Sequence, residues 1–196
     1  MLSGTILGSL IFTNFTSKGF TGTKALSLAN AIGNGIVTEI LKSNSYSGTA
    51  TGVGPGSGIG TGTISGIVGV SVTSLIIANL IAKSISGTKM ADLASAIGDA
   101  FAIHILSGQV TSTSVPVGIG AGIGTISGIV GASVGSSIKL FMVASSISGT
   151  KSGDLADGIG SAIATSISAA IVNTIITGAV TYPTSAASGI DTGKVF

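Results

Sequence analysis

The chain has 196 residues, 44% of them apolar and only 7% charged, and its formal net charge of +2 comes from eight lysines against six carboxylates, with no cysteine. The missing thiols exclude a disulfide framework and a thiolate metal site, and scattered lysines without any arginine argue against a phosphate-tracking nucleic-acid surface. An ordinary globular protein carries about 25% charged residues, so Ser, Thr, Asn and Gly must cover this surface, and such a surface resists association poorly.

From the N-terminus, Gly4-Thr5-Ile6-Leu7-Gly8 reads as a worn copy of a phrase that returns intact downstream. Gly22-Thr23-Lys24 then opens a segment, KALSLANAIGNGI, in which Leu28, Ile32, Ile36 and Ile40 recur every four residues, one face of a helix. Ala29 and Gly33 form a row of small residues beside that face, where a neighbouring backbone can approach closely. Thr23 sits where an N-cap would accept an otherwise unpaired amide hydrogen.

Residues 45 to 62, rich in Gly, Ser and Thr and containing Pro55, read as a long irregular loop. Thr-Ile-Ser-Gly-Ile-Val-Gly follows at 63 to 69 and opens an apolar run to residue 83 that threads as a helix, although Val68 to Thr73 also alternates as a strand would. Gly66 and Gly69 are its candidate close-packing positions. The corner returns as Gly87-Thr88-Lys89, with Thr88 as cap, Asp92 in the first helical turn, and Leu93, Ile97, Phe101 and Ile105 as the apolar face beside Ala94 and Gly98.

A second loop, 108 to 124 with Pro116, precedes the third copy. Thr125 to Gly131 repeats the phrase with Gly128 and Gly131, Gly149-Thr150-Lys151 repeats the corner with Thr150 as cap, and Leu155, Ile159, Ile163, Ile167 and Ile171 repeat the face beside Ala156 and Gly160. Both intact phrases begin 24 residues before their corner (87 − 63 and 149 − 125), whereas Thr5 stands only 17 before Gly22, so the first copy reads as shortened by about two turns. Residues 182 to 196 read as an extended arm.

The predicted fold class is therefore mainly α: three repeated helical hairpins, each a B segment, a Gly-Thr-Lys corner and an A helix, stacked into one array with Gly/Ser/Thr-rich connecting loops. The units are 1–44, 45–107, 108–178 and a C-terminal arm 179–196, all within one structural domain. The small residues Gly33, Gly98, Gly160, Ala29, Ala94, Ala156, Gly66, Gly69, Gly128 and Gly131 are the candidates for helix packing and interfaces.

The chemical signals are better read as structure. Ser86-x-x-Lys89 and Ser148-x-x-Lys151 match a nucleophile motif but fall on the repeated corner, where the first copy has Thr21. Gly58-Ile59-Gly60 and Gly118 to Gly122 resemble phosphate loops without completing the fingerprint. His104 has Glu39 and Ser166 as counterparts, so no constellation repeats around it. No catalytic, cofactor or metal residues are expected.

Few charges, no Cys or Trp, and a short Gly/Ser/Thr-rich repeat give the whole chain a texture that resembles small structural proteins of tailed-phage virions, such as capsid, neck or tail accessory subunits. That resemblance is compositional and implies a virion location and assembly through many tightly packed contacts. The expectation is a non-catalytic subunit forming a homo-oligomer or larger protein assembly, with no nucleic-acid partner and no evident secretory signal. The alternatives are an integral membrane protein, given a mean hydropathy of +0.78 and an uncharged stretch 63 to 82 about long enough to span a bilayer, and a small-molecule-binding enzyme built on the glycine loops.

Overall fold

The computed structural model describes residues 2–52, 58–114, 119–177 and 187–195. Six helices and six strands follow one another in the order α-α-β-β, three times: α1 (Gly4–Ser17), α2 (Ala25–Ser43), β1 (Ser45–Gly52), β2 (Gly58–Ser65), α3 (Gly69–Ala82), α4 (Met90–Ser107), β3 (Gln109–Ser114), β4 (Ile119–Ser127), α5 (Gly131–Ala144), α6 (Ser152–Ser168), β5 (Ile171–Thr177) and β6 (Ala187–Val195). The chain is mainly helical, as the periodicity predicts, but it also contains an antiparallel sheet that the sequence reading lacked.

Each helix packs on the next in sequence, and α6 closes back on α1. The helices thus form a ring rather than an open stack. Its interior is filled by the fourfold-spaced residues: Ile32, Ile36 and Ile40, then Ile97, Phe101 and Ile105, then Ile159, Ile163 and Ile167, met by Leu7, Ile11 and Phe15 of α1, Val72, Ile76 and Leu80 of α3, and Val134, Ile138 and Met142 of α5, all essentially without solvent contact. Ile171 does not extend this face, because α6 ends at Ser168 and Ile171 begins β5.

The expected loops are strands. β1 pairs with β2, β2 with β3, and so on in sequence, and β6 returns to β1 to close a six-stranded antiparallel barrel. Residues 187–195 of the expected arm therefore complete the barrel, while Pro55, Pro116 and the Tyr182-Pro183 start of the arm lie outside the described residues. A barrel of only six strands leaves little room inside, and the inward positions are accordingly small: Gly48 pairs with Gly62, and Ser112 with Gly124. One layer nearer the helices, Tyr46, Ile64, Val110, Ile126, Val172 and Val195 are all buried and join the barrel to the helical core.

The segment 63 to 83 is not one helix. Its first three residues finish β2, Gly66 turns the chain at φ +85°, and α3 starts at Gly69; Gly128 does the same at φ +86° before α5. The stretch 63 to 82 is therefore not a single helix of membrane-spanning length. The first copy is not shortened either: Gly4, Gly69 and Gly131 open α1, α3 and α5, each 18 residues before its corner glycine (22 − 4, 87 − 69, 149 − 131). Residues 65 apart between the first two copies and 62 apart between the second and third thus occupy like places in these helices. In the barrel β6 takes the place for α1 that β2 takes for α3, with Val195 opposite Val172 of β5 as Ile64 is opposite Tyr46 of β1.

Candidate functional site

The Gly-Thr-Lys corners lie at the end of the ring away from the barrel, because α1, α3 and α5 leave the barrel end and α2, α4 and α6 return to it. The sequence expects Thr23, Thr88 and Thr150 to cap the returning helices. Instead Lys24, Lys89 and Lys151 occupy the N-cap positions, and no side chain caps α2, α4 or α6. The backbone closes these turns through Ala25 N–H to the Gly22 carbonyl, Met90 to Gly87 and Ser152 to Gly149, at 2.9, 3.1 and 3.1 Å.

The corner lysines reach across to the next helix pair. Lys24 Nζ donates to the Lys83 carbonyl at 3.2 Å, Lys89 Nζ to the Ser145 carbonyl at 2.7 Å, and Lys151 Nζ to the Lys18 carbonyl at 2.6 Å. Each acceptor belongs to the C-terminus of α3, α5 or α1, where unpaired carbonyls and the helix dipole favour a cation. Lys89 also pairs with Asp92 at 2.9 Å, and Asp154 takes Lys151 at 3.6 Å and Lys18 at 3.7 Å. These lysines hold carbonyls and, at Lys89 and Lys151, carboxylates.

Inside the lysines the corner face is a shallow apolar bowl. Two adjoining hollows of about 360 Å³ share Leu28, Ile85 and Leu155, with Leu93 and Ile147 completing the second. Leu28, Leu93 and Leu155 are like positions of the three copies, as are Phe20, Ile85 and Ile147. The arrangement can seat apolar groups beside ammonium groups.

The small-residue rows lie at close approaches between helices of the one chain. A Cβ on Gly33 would strike the backbone of Gly4 and Gly8 at 2.5 Å, one on Gly98 would meet Thr73 Oγ1 at 2.5 Å and the Gly69 carbonyl at 2.7 Å, and one on Gly160 would meet the Gly131 carbonyl at 2.6 Å. Ala29, Ala94 and Ala156 are fully buried beside them. Gly69 and Gly131 share these contacts, from α3 and α5. Gly66 and Gly128 differ: they are positive-φ hinges between strand and helix rather than packing positions.

The remaining chemical residues are dispersed. Half-buried His104 places Nε2 3.0 Å from Ser137 Oγ. Its counterparts Glu39 and Ser166 are buried, and Glu39 Oε2 and Ser166 Oγ have no hydrogen-bond partner. Gly58 to Gly60, read as a phosphate-like loop, lies in β2, and residues 119–122 of its counterpart lie in β4, so neither precedes a helix N-terminus directly; Gly118 lies outside the described residues. No cluster of His, Cys, Asp or Glu that could hold a metal occurs among the described residues. The signal missed in the sequence was the alternation Gly58-x-Gly60-x-Gly62, with Ile59, Thr61 and Thr63 facing out, which is the period of a strand. No protein family, curated protein or solved structure matches the chain.

Proposed function

We propose that this chain is a non-catalytic structural subunit that packs against copies of itself or partner proteins, as a component of a particle such as a virion. The observation that carries the reading is the contrast between a closed interior and an unfinished exterior. The chain fills its own helical ring and pairs every described strand on both sides, yet leaves Val70, Leu140, Ile81 and Val143 between 58 and 71% exposed on outer helix faces. Large apolar side chains so exposed in groups mark surfaces meant to be covered.

Closure of the barrel also bears on how such a subunit would assemble. A barrel has no free edge to template strand addition, so contacts between subunits would use helix flanks. The repeated helix pairs supply rigid, like-shaped faces for such contacts, and the three repeats act together as one scaffold rather than as separable modules.

The membrane reading has one observation in its favour: α4 is long and apolar enough to cross a bilayer, with a mean hydropathy of 1.3. In this fold, however, α4 is packed between α3 and α5 and 39% of it is buried. Expression without detergent followed by size-exclusion chromatography with light scattering separates the two. A discrete soluble oligomer with a helical circular-dichroism spectrum supports the subunit; recovery only from membranes, with monodispersity gained in detergent, sinks it. His104→Ala should leave the oligomer unchanged.

A further inference from the structure

The three copies are alike in backbone and unlike in surface, which gives the molecule an internal control. At the barrel end of the ring, the end of α2, the start of α3, the end of α4 and the start of α5 present Leu41, Val68, Val70, Ile103, Leu106 and Val130, each 42 to 71% exposed. The like positions elsewhere in the ring are polar or small. Ser3 stands for Val68 and Val130, Thr5 and Ala132 for Val70, Thr38 and Thr165 for Ile103, and Ser168 for Leu41 and Leu106. On α6 and α1, Ile6 is the single large apolar side chain exposed among the described residues.

The same helix in the same ring therefore forms with Ser or Thr at these places. Folding does not call for the valines and isoleucine, and neither does helix propensity, since Val, Ser and Thr are near equals. Their concentration on one arc is what contact with an outside partner would explain.

Resting on the subunit reading above, we infer that this arc is the contact surface for a second copy of the chain, in a twofold pair. An uncharged apolar arc is complementary to itself, as an isologous contact must be. The corner face cannot serve in that way, because Lys18, Lys24, Lys83, Lys89 and Lys151 gather there against Asp92 and Asp154 alone, and two such faces repel. A standard interface takes about 800 Å² from each partner, so the six large side chains would form its apolar centre and their Ser, Thr and Ala surroundings its margin. Lys42, exposed beside Leu41, falls at the rim, where it can stay hydrated. A bilayer is the poorer occupant: α3 and α5 have 14 residues each, about 21 Å of helix against a hydrocarbon core of about 30 Å.

The test transplants the first and third copies' own residues onto the arc: Val68→Ser, Val70→Thr, Ile103→Thr and Leu106→Ser together, compared with the wild-type chain by sedimentation velocity over a concentration series. The expected result is a wild-type dimer whose Kd rises at least tenfold in the variant while the circular-dichroism spectrum is retained. The reverse exchange, Ser3→Val, Thr5→Val, Thr38→Ile and Ser168→Leu, creates a second arc and should yield species larger than a dimer. A wild-type oligomer that neither exchange alters overturns the arc and leaves the subunit reading standing. A wild-type chain that stays monomeric throughout overturns the twofold pair, and one soluble only in detergent overturns both.

Discussion

The ammonium of Lys151 lies 2.6 Å from the carbonyl oxygen of Lys18, 133 residues earlier in the chain. That bond closes a circuit: first copy to second through Lys24, second to third through Lys89, and third back to first through Lys151. A repeat array with two free ends has capping units with different outer faces; a ring has none, so each corner here finds a neighbour.

The three latches are not equal, and their order is measurable. Lys151 also pairs with Asp154 and lies 5.8 Å from the centre of the Phe20 ring, whereas the Lys24 bond is the longest of the three at 3.2 Å. A cation at a helix C-terminus contributes about 0.3–1 kcal/mol at low ionic strength, and exposure places these lysines in the lower part of that range. Lys151→Met should lower urea stability more than Lys24→Met, and both losses should shrink in high salt. Equal, salt-independent losses would show that the lysines act through their methylene stems instead.

Gly98 and Gly160 set how closely each helix pair can approach. Because a Cβ at Gly98 already meets Thr73 Oγ1 and the Gly69 backbone, no rotamer change relieves a larger side chain there. Overpacking of this kind costs about 1–3 kcal/mol, and backbone contact places it at the upper end. Gly98→Leu and Gly160→Leu should both lower the thermal midpoint, and Gly98→Ala should do so by less. A Gly98→Leu chain with the wild-type midpoint would refute the close-approach argument.

Helices in the A segments were legible because one strong period, Leu93-Ile97-Phe101-Ile105 and its copies, coincides with buried positions on one face. The barrel was not, because its inward residues are glycines. Gly48 and Gly62 carry no hydrophobic signal, and only their alternation with Ser47, Thr61 and Thr63 records the strand. Tyr46 explains how such an interior is filled: a Cβ on Gly62 would lie 2.7 Å from Tyr46 Cε2 and one on Gly48 2.7 Å from Tyr46 Oη, so the tyrosine ring occupies the space the glycines leave. Ring closure was invisible for another reason. It joins α6 to α1 and β6 to β1, and no local pattern reports contacts between opposite ends of a chain. The apolar bowl around Leu28, Leu93 and Leu155 was half legible, since the sequence marks those residues as a core face without saying that the face runs out into the open at the corner end.

Ser84 and Ser146 take left-handed conformations, φ 53° and 56°, at the place where the first copy has Gly19 at φ 78°. All three follow a helix whose last turn is closed by a six-to-one bond: Phe20 N–H to the Phe15 carbonyl at 2.9 Å, Ile85 to Leu80 at 3.0 Å and Ile147 to Met142 at 2.8 Å. Glycine is the favoured residue at that position, since a Cβ there costs about 1–2 kcal/mol, partly offset by the greater freedom glycine loses on folding. Ser84→Gly and Ser146→Gly should each stabilise the chain by about 0.5–1 kcal/mol in denaturant unfolding. A loss in both variants would mean that the serine hydroxyls make a compensating bond.

The barrel is sealed where its first strand meets its last, and Asn44 is the side chain that holds the seam. In the other copies a strand continues directly into the next helix, so Ile64 and Ile126 are tied covalently to α3 and α5; Val195 is not tied to α1 in this way. Asn44, buried at the end of α2, accepts the Val195 N–H at 2.7 Å and donates toward the Val195 carbonyl at 3.5 Å, while its amide also donates to the Ile40 carbonyl. One side chain thus satisfies both backbone groups of the final core residue of β6 and anchors them to the helical ring. Asn44→Ala leaves the Val195 amide without that acceptor in a buried place, a loss of about 1–3 kcal/mol. The effect should be local before it is global. In hydrogen-exchange mass spectrometry the amides of β6 and of the facing residues of β1, Tyr46 to Gly52, should lose protection ahead of β2 to β4, because the β1–β6 pairing is the contact released. Asn44→Asp should rescue it only in part, since a carboxylate keeps the acceptor for the Val195 N–H but cannot donate to the Val195 and Ile40 carbonyls. Uniform deprotection across all six strands would show instead that the barrel opens only as a unit and that the seam is no weaker than its other pairings.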